Sequence, residues 1–119
     1  MPEYALTIEV RTHPVGATVV VLAGELDYHT APRLHRAVER TAEALPLVLD
    51  LALLSFCDSL GVAELLFAFR RTQSAGTALA LVSPSTDVSR LLAMTGVDRL
   101  LPCHATVDAA VGALRPGGG

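Results

Sequence analysis

The run Leu47-Val48-Leu49-Asp50-Leu51, with Pro46 before it and Ser55-Phe56-Cys57-Asp58-Ser59-Leu60-Gly61 after it, decides the fold. The first stretch is almost continuously apolar, the pattern of a strand buried on both faces in a parallel sheet. A helix follows from about Asp58 to Gln73. Ala78 to Val82 repeats the buried-strand pattern and Pro84 breaks it. Thr86 then caps a short helix that Gly96 ends. Leu100 and Leu101 are expected to form a final short strand, Thr106 to Leu114 a last helix. The end of the chain, Arg115-Pro116-Gly117-Gly118-Gly119, is too polar and Gly-rich to pack.

Toward the N-terminus, Thr7 to Arg11 alternates, and after a turn at His13-Pro14-Val15-Gly16 the run Ala17 to Leu22 is rich in β-branched residues. The two form an antiparallel pair. Gly24 to His29 reads as a polar loop. Thr30 then caps a helix that carries Pro32 in its first turn, where a missing N–H costs nothing. Leu34, Ala37, Val38, Ala42 and Leu45 recur at helical spacing, Arg33, Arg36, Glu39, Arg40 and Glu43 fill the other face, and Pro46 stops the helix. The fold class is α/β: a mixed sheet of four to five strands covered by about four helices, with right-handed crossovers. One domain over residues 1–114 and a flexible tail over 115–119 account for the 119 residues.

Composition removes several functions. The net charge is −3, there is no Lys, and the Arg residues are scattered apart from Arg70 and Arg71, so there is no electrostatic footprint for a nucleic-acid backbone. Runs such as Leu65 to Phe69 fall well short of the roughly 18–20 apolar residues of a membrane span. Met1-Pro2-Glu3-Tyr4 lacks the basic and apolar regions of a secretory signal. A soluble cytoplasmic protein is expected. Cys57 and Cys103 form no C-x-x-C pair or zinc spacing and are expected buried and reduced, Cys57 as a small hydrophobe rather than a redox sensor. His29 and His35 fall on different sides of a helix start and are expected as solvated surface residues, so neither a metal nor a cofactor is implied.

Chemistry concentrates at the turn from strand to helix around Ser59. Backbone N–H groups at a helix start are free to bind an anion, and Asp58 can cap the same turn. Taken locally, the stretch reads first as Asp58 a simple cap and Ser59 a tolerated first-turn residue, ahead of any anion or phosphate role. The helix adds something. Leu60, Val62, Ala63, Leu65, Leu66, Phe67 and Phe69 surround most of its circumference, so it is either sandwiched or leaves a patch for a partner.

Leu54-Ser55-Phe56-Cys57-Asp58-Ser59-Leu60-Gly61 resembles the phosphorylation motif of the STAS-domain anti-sigma factor antagonists. Gly24-Glu25-Leu26-Asp27 with Thr30-Ala31-Pro32 is similar to that family's loop between the second strand and first helix. Leu81-Val82-Ser83-Pro84-Ser85 and Met94-Thr95-Gly96 also match in order, so the likeness spans roughly residues 5–114. The resemblance implies that Ser59 is phosphorylated by an anti-sigma factor that is itself an ATP-dependent serine kinase. Asp58 would be the acidic neighbour, with Glu25, Asp27, Thr30, Leu60 and Gly61 on the docking face. The unmodified protein would hold the anti-sigma factor and release a sigma factor, and a separate serine phosphatase would restore it. The family pattern commonly has a small hydroxyl residue after the acceptor and a Leu-Gly pair after the Gly; here Leu60, Val62 and Ala63 take those places.

Two other readings compete. A hydrolase would need a base beside Ser59, but there is no G-x-S-x-G elbow and no spacing that brings His13, His29, His35 or His104 to it, so no enzyme is expected. A STAS-like scaffold or ligand-binding module that no kinase modifies stays open, because fold does not decide function.

Overall fold

The computed structural model describes residues 5–41 and 43–114. Five strands, β1 (Leu6–His13), β2 (Ala17–Leu26), β3 (Leu47–Cys57), β4 (Leu79–Val82) and β5 (Cys103–His104), form one sheet in sequential order. β1 and β2 run antiparallel, and the β2/β3, β3/β4 and β4/β5 pairs are parallel. Four α-helices, α1 (Ala31–Glu39), α2 (Ser59–Ser74), α3 (Thr86–Met94) and α4 (Val107–Leu114), complete the fold. It is the α/β architecture expected.

Alternation along the strands divides the core in two. Val20, Leu22, Leu49, Leu51 and Leu81 turn to one face, where Leu34 and Val38 of α1, Leu65 and Ala68 of α2 and Val88 and Leu92 of α3 meet them. Ala17, Val19, Val48, Ala80 and Val82 turn to the other, covered by Ala110 and Val111 of α4. The parallel strands progress in one direction across the sheet, and crossovers of one hand place their helices on one side. Only α4, after the last strand, crosses to the second face.

Several boundaries differ from the sequence reading. β3 continues to Cys57 rather than stopping at Leu51, and β2 reaches Leu26, which shortens the expected loop. Two breaks in register, between Val21 and Ala23 and between Gly24 and Glu25, accompany this length. They spoil the alternation that reveals a strand. α1 ends at Glu39, not Leu45: the Thr41 hydroxyl donates to Val38 O at 2.7 Å, and Arg71 Nη2 donates to the carbonyls of Glu39 at 2.8 Å and Thr41 at 3.2 Å. Leu100 and Leu101 form no strand. They follow a 3₁₀ turn, Val97–Arg99, with Leu101 fully buried, and the last strand lies beyond Pro102. Ser85, not Thr86, caps α3, its side chain accepting from Val88 N at 3.2 Å. The expected tail, 115–119, lies outside the described residues.

α2 packs on the sheet and, along one side, against α1. His35 of α1 stacks on Phe67 with ring centroids 3.9 Å apart, and its Nδ1 lies 2.8 Å from Glu64 Oε1. The sequence placed His35 in solvent; it instead joins two helices, with Glu39 Oε2 3.7 Å from its other nitrogen.

Candidate functional site

The C-terminal ends of β2 and β3 lie side by side, Glu25 opposite Phe56 and Leu26 opposite Cys57. This brings two turns together: the one after β2, which leads into α1, and the one after β3, which leads into α2. Asp58 organises the second turn. Its extended backbone (φ −105°, ψ −174°) and a carboxylate oxygen accepting from Gly61 N at 2.9 Å make it the N-cap of α2. The other oxygen accepts from Tyr28 N at 3.0 Å, and Asp58 N donates to Leu26 O at 3.1 Å. Asp58 is therefore a cap, as expected, and also a tether between the turns.

Ser59 opens α2 with its side chain exposed. Among the described residues its hydroxyl has no hydrogen-bond partner, and the N–H groups of Ser59 and Leu60 have no protein acceptor, as first-turn amides generally do not. No histidine engages the hydroxyl. His13 Nε2 lies 3.0 Å from Asp108 Oδ1 and His35 is committed to Glu64.

The turn after β2 is held from within. Asp27 Oδ1 accepts from His29 N at 2.9 Å and Thr30 N at 3.1 Å, while the Thr30 hydroxyl accepts from Asp27 N at 2.9 Å and donates to Glu25 O at 2.9 Å. Thr30 is buried and makes no side-chain cap bond to α1, so it braces the loop rather than presenting a contact or a cap. Gly61 is also buried: a Cβ there would lie 2.7 Å from Cys57 Sγ and 2.8 Å from both Leu26 Cγ and Leu26 O. The backbone it lets approach belongs to β2 of the same chain.

What faces solvent is mixed. Glu25 is exposed and Asp27 and Asp58 half-buried, so the two adjoining turns carry three carboxylates, while Glu64 is drawn away toward α1. Four large apolar side chains lie open nearby in sequence or pairing: Tyr28 (61 % exposed), Leu53 (64 %), Phe56 (48 %) and Leu60 (51 %). Of these the sequence singled out only Leu60. Cys57, beneath them, is buried, and that burial, reinforced by the Asp58 carboxylate, pushes its thiol up to about 12. It is a small core hydrophobe, as expected, whereas Cys103, also expected buried, is exposed on the short last strand.

Ser59 thus places an exposed hydroxyl at a helix start, next to the capping carboxylate of Asp58, on an α/β scaffold whose adjoining turns carry open apolar side chains. Comparison with known proteins gives the family. Residues 7–110 match the STAS domain model. The chain is 33 % identical over 103 residues to the anti-sigma F factor antagonist of Paenibacillus polymyxa, covering 83 % of this chain and 86 % of that one. A crystal structure of an anti-sigma factor antagonist from Mycobacterium paratuberculosis superposes with a TM-score of 0.85 at 30 % identity, over 96 % and 97 % of the two chains. The Bacillus protein SpoIIAA, in its unphosphorylated form, shares the fold at 24 % identity with a TM-score of 0.76, over 92 % and 97 % of the chains; its phosphorylated form does so at 0.71, over 92 % and 100 %. The chain belongs to the STAS-domain family of anti-sigma factor antagonists.

Proposed function

We propose that this chain is a cytoplasmic anti-sigma factor antagonist that holds an anti-sigma factor serine kinase through the face around Ser59 and so releases a sigma factor. Transfer of the γ-phosphoryl group of ATP to the Ser59 oxygen, which gives up its proton as ADP leaves, switches it off, and a serine phosphatase restores the hydroxyl by hydrolysis, releasing inorganic phosphate. The observation that carries this reading is the exposed, unpartnered Ser59 hydroxyl at the start of α2, in a pair of joined turns that also expose Tyr28, Phe56 and Leu60.

The physics of the switch follows from the same geometry. A phosphate adds about −1.5 to −2 charges at neutral pH beside Asp58 and close to Glu25 and Asp27. The unengaged N–H groups of Ser59 and Leu60 and the positive end of α2 accommodate it, so the fold persists. The loss of binding comes from repulsion and a blocked contact surface, where an unfavourable juxtaposition costs several kcal/mol and lowers affinity by orders of magnitude. That SpoIIAA, which shares the fold, exists in a phosphorylated form supports the reading.

The test is a pull-down from the native cell extract with wild-type, Ser59→Ala and Ser59→Asp baits and mass spectrometry of what binds. A kinase-like partner on the first two baits and not on the third is the expected result. The same proteins on all three, or none, make the chain an unmodified scaffold. Leu60 bears on that alternative, because its exposed bulk stands where a kinase must seat the acceptor.

A further inference from the structure

β1 is an outer strand of the sheet, and among the described residues no strand pairs with its outer edge. Glu25 N donates to Ala5 O across the β1/β2 ladder, while the Leu6 carbonyl accepts from Arg33 Nη1 at 2.6 Å. With Leu6 opposite Gly24 and no break in register, alternation turns the N–H and C=O groups of Ile8 and Val10 away from β2. Outer strands are ordinarily blunted by bulges, Pro or inward charges. β1 has no Pro and no bulge, Glu9 and Arg11 pair with each other at 2.8 Å, and Val10 is 54 % exposed.

Between this edge and α1 runs a groove of about 330 Å³ with Ile8 and Val10 on its floor and Arg33, Arg36 and Arg40 along its wall. None of the residues lining it is acidic, and among the described residues Arg36 and Arg40 make no ion pair. In a chain of net charge −3 this is a concentrated basic stripe. Arg36 and Arg40, four residues apart on a helix, are separated by about 6 Å along its axis. Alternate residues of a strand are separated by about 6.6–6.8 Å.

We infer that the β1 edge and its arginine wall form a docking site for an extended acidic segment of a partner protein, which adds as a further strand with carboxylates at every second position. Main-chain bonds to Ile8 and Val10 give it its register, and its carboxylates reach Arg36 and Arg40. A second copy of this chain is the poorer occupant. The residues of its own β1 on the α1 side are Leu6, Ile8 and Val10, which bring no acid to the arginines. The site is separate from the Ser59 face and does not depend on phosphorylation.

The test uses isotope-labelled protein and synthetic peptides of about ten residues that alternate Glu with Thr, or Lys with Thr, at about 50 mM salt. The Glu peptide is expected to shift amide signals of β1 and α1, and the Lys peptide to shift none. Arg36→Ala with Arg40→Ala weakens binding about tenfold, the loss of two exposed ion pairs, without altering the thermal transition. Ser59→Asp leaves binding unchanged, which keeps this result independent of the phosphoswitch. No shift at about 1 mM peptide, shifts away from β1 and α1, or equal binding by the double variant overturns the inference. So does a dimer in sedimentation that Val10→Arg disperses, because a second copy then owns the edge.

Discussion

Asp58 and Tyr28, 30 residues apart, are joined by one carboxylate oxygen accepting from a backbone N–H at 3.0 Å, while the other oxygen caps Gly61 N at 2.9 Å. One side chain thus sets the start of α2 and its position against the turn after β2. Asp58→Ala removes both bonds. Loss of a cap costs about 1 kcal/mol and loss of a charged hydrogen bond somewhat more, so a destabilisation of about 2–3 kcal/mol is expected. Asp58→Asn keeps one acceptor oxygen and should lose roughly half of that. Urea unfolding of the pair measures the difference, and equal stability of Ala and wild type would sink the tether.

Gly61→Ala tests the close approach of α2 to β2. The flexible tips of Cys57 and Leu26 can yield, but Leu26 O, 2.8 Å from the new Cβ, is backbone and cannot move without disturbing the ladder. An overpacking cost of about 1–3 kcal/mol is expected as a lower thermal midpoint. Pairing Gly61→Ala with Cys57→Ala relieves the thiol contact and should recover only part of the loss.

Cys57 makes stability fall at alkaline pH. Its folded thiol sits at about 12, well above its ordinary value of 9.0, so between those values the unfolded chain releases a proton that the folded chain keeps. The contribution is intact below about pH 9 and declines above it by up to about 1.4 kcal/mol per pH unit. Cys57→Ala should flatten that limb of a stability-versus-pH curve. At pH 8 Cys57 thus stays in the unreactive thiol form. An alkylating reagent should therefore modify exposed Cys103, whose own value burial and Asp98 raise, while sparing Cys57.

Phe56→Ala and Tyr28→Ala separate binding from folding. Tyr28 lies largely in solvent and Phe56 is half-exposed, so Tyr28→Ala should unfold within about 0.5 kcal/mol of wild type and Phe56→Ala within about 1 kcal/mol. Affinity for the captured partner should drop by about 2 kcal/mol if these rings anchor the contact. Calorimetry reads this directly, and unchanged affinity in both variants moves the partner to another face.

Ser59→Asp should melt within a few degrees of wild type, because the first-turn amides of α2 accommodate added negative charge. A collapsed transition in a thermal scan would show that modification acts by unfolding.

The parallel part of the fold was legible because burial on two faces writes itself as unbroken apolar runs: Ala78 to Val82 was read as a strand and Leu79–Val82 is one. Where geometry departs from regularity the sequence is silent. The register breaks along β3 put Leu53 and Phe56 in solvent inside an apolar stretch, so neither stood out as a surface residue. Leu101 is apolar for the core rather than for a strand. At the site, Asp58 and Ser59 were readable because caps obey local chemistry. The Asp58 bond to Tyr28 and the His35 contact with Glu64 join segments about 30 residues apart, and no local pattern encodes them.

Apart from the Asp58 carboxylate, the joint beneath Ser59 is made from main-chain atoms: Tyr28, Gly61 and Asp58 take part through their N–H groups and Leu26 through its carbonyl. Tyr28, Ser59 and Leu60 are thus free to change side chain without loosening the frame. Sister copies of this domain in one cell can then diverge in whom they answer while folding alike, and parallel signalling lines stay insulated at the cost of a few surface substitutions.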